Sequence, residues 1–131
     1  RAGMRLRKMG YWTSAMSLRL RLGREAGWED KIDMVECQDT LTLLDGLHAL
    51  WKKIPKNAGA ASAVSITLFK LVPNSTHTLS LFADSKRTRL AGAIDAINSR
   101  FGTNTIYFGG IHTAKTAAPT RIAFTSIPDW F

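Results

Sequence analysis

The sequence predicts an α+β domain: a small, mostly antiparallel sheet of about four strands with helices packed on one face. Three observations predict it. The run Met16-Ser-Leu-Arg-Leu-Arg-Leu alternates strictly, placing Met16, Leu18, Leu20 and Leu22 on one strand face and Ser17, Arg19 and Arg21 on the other. Leu43, Leu44, Leu47, Leu50, Trp51 and Ile54 then recur at helical spacing. From Ala63 to Val72 the pattern alternates again, with Val64, Ile66 and Leu68 inward and Ser65 and Thr67 outward.

The remaining elements follow in chain order. Arg1 to Gly10 reads as the last turns of a helix, with Met4, Leu6 and Met9 among four basic residues and a glycine suited to a helix C-cap. A strand from about Thr13 to Leu22 comes next. Gly23 to Gly27 turns the chain into a second strand, Trp28 to Glu36, with Ile32 and Met34 on one side and Lys31, Asp33 and Val35 on the other. Asp39 is placed to N-cap the leucine-rich helix, Lys52 and Lys53 suit its C-terminal dipole, and Pro55 lies just past its end. A small-residue loop, Asn57 to Ser62, precedes the third strand, which Pro73 and Asn74 terminate. Asp84 or Ser85 starts a helix with Leu90, Ala93, Ile94, Ile97 and Phe101 on its apolar face, closed by Gly102. Thr105 to Phe108 and Arg121 to Ile127 are short strand candidates.

Composition narrows the function. Eighteen Lys plus Arg against ten Asp plus Glu leave a net charge of +8 on 131 residues, which favours a polyanionic partner, nucleic acid before an acidic membrane. Hydrophobic residues at 45% and charged residues at 21% suit a folded globular chain. No apolar run reaches the roughly 20 residues that span a bilayer, and no secretory pattern is visible, so a cytoplasmic location is expected. Cys37 is the single cysteine, which rules out an internal disulfide and any multi-cysteine metal site.

With helices on one sheet face, the other collects Ser17, Arg19 and Arg21 from the first strand, Lys31 from the second, and Ser65 and Thr67 from the third. Those six are the candidate DNA-binding residues. Arg and Lys supply charge and donors to phosphate oxygens, while small hydroxyls let the backbone approach; such a face needs no group that reads bases. The plainer alternative is a half-buried strand with a basic solvent side. Catalytic patterns are not visible. Asp30 and Asp33 lack a third carboxylate for a two-metal site and read as surface charge. His48, His77 and His112 lack metal-ligand spacing; His48 reads as a helix residue at the core edge, and His77 and His112 as loop residues. No catalytic residue, metal ligand or cofactor is expected within this chain. A sheet-based RNA binder would need stacking aromatics on central strands, a pattern that Phe69 and Tyr107 do not form.

The blocks Arg5-Leu-Arg-Lys-Met-Gly-Tyr-Trp, Gln38-Asp-Thr-Leu-Thr-Leu-Leu and Thr67-Leu-Phe-Lys-Leu-Val-Pro occur in the same order as in the little finger domain of Y-family translesion DNA polymerases. With Arg89-Leu-Ala-Gly-Ala-Ile-Asp-Ala-Ile-Asn-Ser-Arg-Phe-Gly, Ile106-Tyr-Phe-Gly-Gly and Ala118-Pro-Thr-Arg-Ile-Ala-Phe-Thr-Ser-Ile-Pro, the chain resembles the bacterial ImpB/MucB/SamB type over nearly its whole length. The resemblance implies a four-stranded sheet backed by two helices that rests on primer-template duplex during bypass of damaged DNA in an SOS response. It implies a bacterial, nucleoid-associated protein, non-catalytic in this part, whose parent polymerase carries its magnesium-binding carboxylates in a palm domain elsewhere.

Against that pattern the family's first strand is missing. Residues 1–73 then form a truncated little finger core, 74–85 a linker, and 86–131 a helix-strand extension and tail. The open sheet edge is expected to be covered by Thr105 to Phe108 or by a second copy of the chain in a homodimer. Within the linker, Thr78, Leu79, Ser80, Leu81 and Phe82 resemble the peptide that binds the bacterial sliding clamp, with Thr78 in place of its glutamine. Three large apolar side chains in a polar segment suit a peptide that orders on a partner. The second functional expectation is therefore a protein-interaction module tethering the polymerase to the clamp.

Overall fold

A computed structural model describes residues 1–77 and 85–114. The architecture is α+β, in the order α1 (Ala2–Lys8), β1 (Tyr11–Leu22), β2 (Ala26–Cys37), α2 (Thr40–Trp51), β3 (Ala63–Pro73) and α3 (Ser85–Phe101). The chain divides into two compact units, Arg1–Asp95 and Ala96–Phe131.

The first unit is built on β1. Both neighbours pair with it antiparallel, giving a three-stranded sheet of order β2-β1-β3 rather than the four strands expected. Its alternation has the expected effect. Met16, Leu18 and Leu20 are at most 3% exposed, and with Cys37, Leu43 and Leu50 they form the core beneath α2. Leu22, Trp28, Ile32, Met34, Leu47, Ile54 and Leu68 pack around it. The β1–β2 hairpin turns through Gly23 at φ +73°, a left-handed conformation that glycine adopts without a steric penalty.

The termini of α1 and α2 are set by local chemistry. Past Met9, the C-cap of α1, Gly10 turns into β1 at φ +74°, and its carbonyl accepts from the Asn74 amide at 2.8 Å. Asp39 N-caps α2 as expected, its Oδ2 accepting from the Thr42 amide at 2.8 Å. Leu43, Gly46 and Leu50 form the buried stripe of α2; Trp51 and His48 turn outward instead of joining it.

Helix α3 departs furthest from its sequence pattern. Its buried residue is Ala91, while Leu90 is 44% exposed and Ala93 is exposed. The reason is polar. Asp95, one turn beyond Ala91, receives a two-pronged bond from Arg7 of α1, Nε to Oδ2 at 2.6 Å and Nη2 to Oδ1 at 2.9 Å. Arg7 also donates through Nη1 to the Gln38 carbonyl at 2.8 Å and to the Thr40 hydroxyl at 3.2 Å. Arg87 bonds Asp45 of α2 at 2.7 Å. These anchors select the face of α3 that turns inward, and the first compact unit runs as far as Asp95.

In the second unit Gly102, at φ +113°, follows the end of α3. Asn98 then clasps the backbone of Ile106, donating to its carbonyl at 3.0 Å and accepting from its amide at 2.9 Å. Residues 105–108 consequently form a bend and irregular chain, not the strand expected there. The strand expected at Arg121 to Ile127 lies outside the described residues.

Leu18 is fully buried beneath α2, so Leu18→Ala should cost about 2–5 kcal/mol, read as a lowered denaturation midpoint at an unchanged m-value. Burial pushes the Cys37 thiol up to about 12, with smaller contributions from Asp39 and Glu36. It should stay unlabelled by a thiol-disulfide reagent at neutral pH in the folded protein and react at once in denaturant.

Candidate nucleic-acid interface

The open sheet face is defined by register. Because β1 turns its even positions toward the helices, the odd positions and their cross-strand partners face away. One row holds Lys31, Ser17 and Thr67; the next holds Glu29, Arg19 and Ser65; Arg21 lies between Gly27 and Ala63. All six residues expected from the sequence therefore share this face. Ser17 is half-buried and the other five are exposed. Arg19 and Arg21 stand about 6.8 Å apart along the strand, and among the described residues neither they nor Lys31 has a carboxylate partner.

Two acidic residues on the same face were not drawn into the sequence-derived site. Glu29 stands opposite Arg19, a pairing fixed by the three-residue hairpin loop, and Asp33 joins Ala15 and Phe69 in the row beyond Lys31. The loop length was the signal that could have found Glu29. Asp33, which the alternation of β2 already set beside Lys31, owes its bridge to Lys70 to a backbone irregularity. Near Ser14 the β1–β2 register shifts, and Lys70 on β3 takes φ +52°, a left-handed conformation uncommon outside glycine. The buried Thr13 hydroxyl, donating to the Phe69 carbonyl at 2.7 Å, fastens this irregular point. Lys70 Nζ then reaches across β1 to Asp33 Oδ1 at 2.7 Å, over Ala15, which is wholly buried although it belongs to the open face. A shallow depression of about 370 Å³ lies here, lined by Lys31, Asp33, Phe69 and Lys70 among others. Asp30 faces the other way and meets Lys53, at 3.7 Å.

Beside the sheet, His77 lies in the loop that follows β3, as expected, but its side chain is not exposed. Its side chain is 9% exposed and stacks on Trp12 with centroids 3.6 Å apart and planes 5° from parallel. Nδ1 hydrogen-bonds Glu36, and buried Nε2 has no partner among the described residues. Trp12 Nε1 donates to Asn74 Oδ1 at 2.7 Å, so this stack ties the end of β3 to the start of β1. His112 pairs with the Tyr107 hydroxyl at 2.6 Å in the second unit. Thr78, Leu79, Ser80, Leu81 and Phe82 lie outside the described residues. No group of three or more His, Cys, Asp or Glu side chains able to hold a metal ion occurs among the described residues, and none of the described helices is long and apolar enough to cross a membrane.

Comparison with protein-family models, curated proteins and solved structures gave no match.

The Asp33 carboxyl is held below the usual carboxylate range, first by its hydrogen bond from Lys70 and then by the charges of Lys70 and Lys31. Lys70→Ala should shift the Asp33 titration midpoint upward, followed through its side-chain carboxyl carbon by NMR. A midpoint that stays in place would mean that the bridge is not formed in solution.

Proposed function

We propose that this chain is a non-catalytic DNA-binding module that grips primer-template duplex through phosphate contacts of its open sheet face. The carrying observation is the convergence of Ser17, Arg19, Arg21, Lys31, Ser65 and Thr67 on one surface, with its arginines and Lys31 unpaired among the described residues. The chemistry of that surface supports backbone contact. Phosphate oxygens accept from guanidinium, ammonium and hydroxyl donors alike, and contacts of that kind carry no base identity. Together with the ordered sequence blocks, this supports the reading of a little finger region of a Y-family, error-prone DNA polymerase. In that role the module adds hold on the duplex, and nucleotidyl transfer belongs to a separate domain.

Fluorescence anisotropy against duplex DNA tests the reading. Binding should be indifferent to sequence and fall linearly in log affinity against log salt. Arg19→Ala, at an exposed position, should reduce the magnitude of that slope by about 1 and weaken binding equally for unrelated duplexes. Unchanged slope and affinity, or a strong preference between two unrelated sequences, would overturn the proposal.

A further inference from the structure

The depression on the open face is built by an irregular point in β3. Period two assigns Lys70 to the helix-bearing side together with Leu68, since Ser65, Thr67 and Phe69 hold the open one. Its φ of +52° takes it out of that order. The side chain instead crosses β1 over Ala15, and Nζ meets Asp33 Oδ1 of β2 at 2.7 Å. Lys31 stands two residues along β2 on the same face as Asp33, so two ammonium groups border the hollow of about 370 Å³. The other charged residue lining it, Asp30, points away and is engaged by Lys53 at 3.7 Å, and β1 contributes the uncharged Ala15 and Ser17 here.

We propose that Lys31 and Lys70 form a latent phosphate subsite of the open face, kept closed by Asp33, whose carboxylate stands where an oxygen of the phosphate would stand. The geometry is that of an anion site already filled. Asp33 Oδ1 lies within hydrogen-bond reach of one ammonium group, beside a second, and its side chain is 77% exposed, so the position is open to a ligand from solvent. The reading of this face as a duplex-binding surface supplies the ligand, a backbone phosphate, and the proposal rests on that reading for the ligand's identity. Asp33 is then the residue that sets how many phosphates the face can hold.

Charge balance keeps the subsite closed. Binding to a phosphate backbone is driven by release of its counterions, and a lysine releases none while a carboxylate already neutralises it. Two ammonium groups against one carboxylate leave a single positive charge in the hollow, enough for one phosphate. Losing the Asp33 charge would make room for a second. The bridge itself is no obstacle, since an ion pair this exposed is among the weakest; what closes the subsite is the negative charge of Asp33, which remains beside Lys70 wherever that side chain turns. Because its hydrogen bond from Lys70, and then the charges of Lys70 and Lys31, hold the Asp33 carboxyl below the usual carboxylate range, it is ionised at neutral pH and the subsite opens only as acid protonates it.

Asp33→Asn tests the proposal in two ways, with circular dichroism showing each variant folded. Against duplex DNA it should tighten binding and raise the magnitude of the log-log salt slope by about 1, one added phosphate contact. The double variant Asp33→Asn with Lys70→Ala should return the slope to its native value, which separates release of Lys70 from the mere loss of a nearby negative charge. The second reading needs no duplex. On titration with inorganic pyrophosphate at low salt, the Lys70 side-chain NMR signals should move in Asp33→Asn and hold still in the native chain. Lys70 signals that respond alike in both proteins, or a slope gain that survives removal of Lys70, would overturn the proposal. An Arg19→Ala variant with an unchanged slope counts against the duplex-binding face alone, since the pyrophosphate titration reports the subsite by itself.

Discussion

The central constraint is that β1 is hydrogen-bonded on both sides while its side chains alternate between two environments. A strand so placed cannot shift by one residue without moving Met16, Leu18 and Leu20 into solvent and Arg19 and Arg21 into the core. Burying an unpaired guanidinium is far more costly than exposing a leucine, so the register is fixed by what must stay wet as much as by what must stay dry. The cationic face is therefore the complement of the core. Its composition is decided residue by residue by the strand that fills the core.

A second constraint organises the helices. Arg7 sits in α1 with its side chain only 10% exposed, and a buried guanidinium requires acceptors for its fork of donors. It finds them in Asp95, the Gln38 carbonyl and the Thr40 hydroxyl. One cation thereby joins α1, the start of α2 and the middle of α3. Removing Asp95 would leave the guanidinium half-buried and short of an anion, a more serious loss than the value of a surface ion pair. That requirement explains why α3 turns Ala91 and Asp95 inward although Leu90 and Phe101 remain exposed.

Legibility in the sequence follows the same physics. The β1–β2 hairpin, α2 with its Asp39 cap, and β3 are governed by local periodicity and by short-range hydrogen bonds, and each lies within a few residues of its expected bounds. The six residues of the open face came from period-two alternation alone, which is why they converge. What was illegible depends on long-range pairs. The inward face of α3 is chosen by Arg7, 88 residues away, and the burial of His77 by Trp12 and Glu36. Near Thr105 to Phe108 an alternating tetrapeptide is overridden by Asn98, whose amide occupies the Ile106 donor and acceptor that a strand would have used. The Asp33–Lys70 bridge needs a backbone irregularity at Lys70 that no composition rule announces.

The placement of acids on β2 also bounds how strongly the open face can hold a polyanion. Glu29 and Asp33 sit in the rows flanking Lys31, so the positive potential is confined to a band along β1, and Lys70 is already committed to Asp33. Three cations, each neutralising one phosphate, correspond to a log-log salt slope of at most about 2.7 in magnitude, against the six to ten contacts of a tight duplex binder. On the proposed function, a face of this strength would add grip to a duplex held chiefly elsewhere and would release it easily. Contacts that ignore base identity have the same energy at each register along a duplex, so a weak cationic band along one strand would let a bound duplex slide without a barrier that depends on sequence.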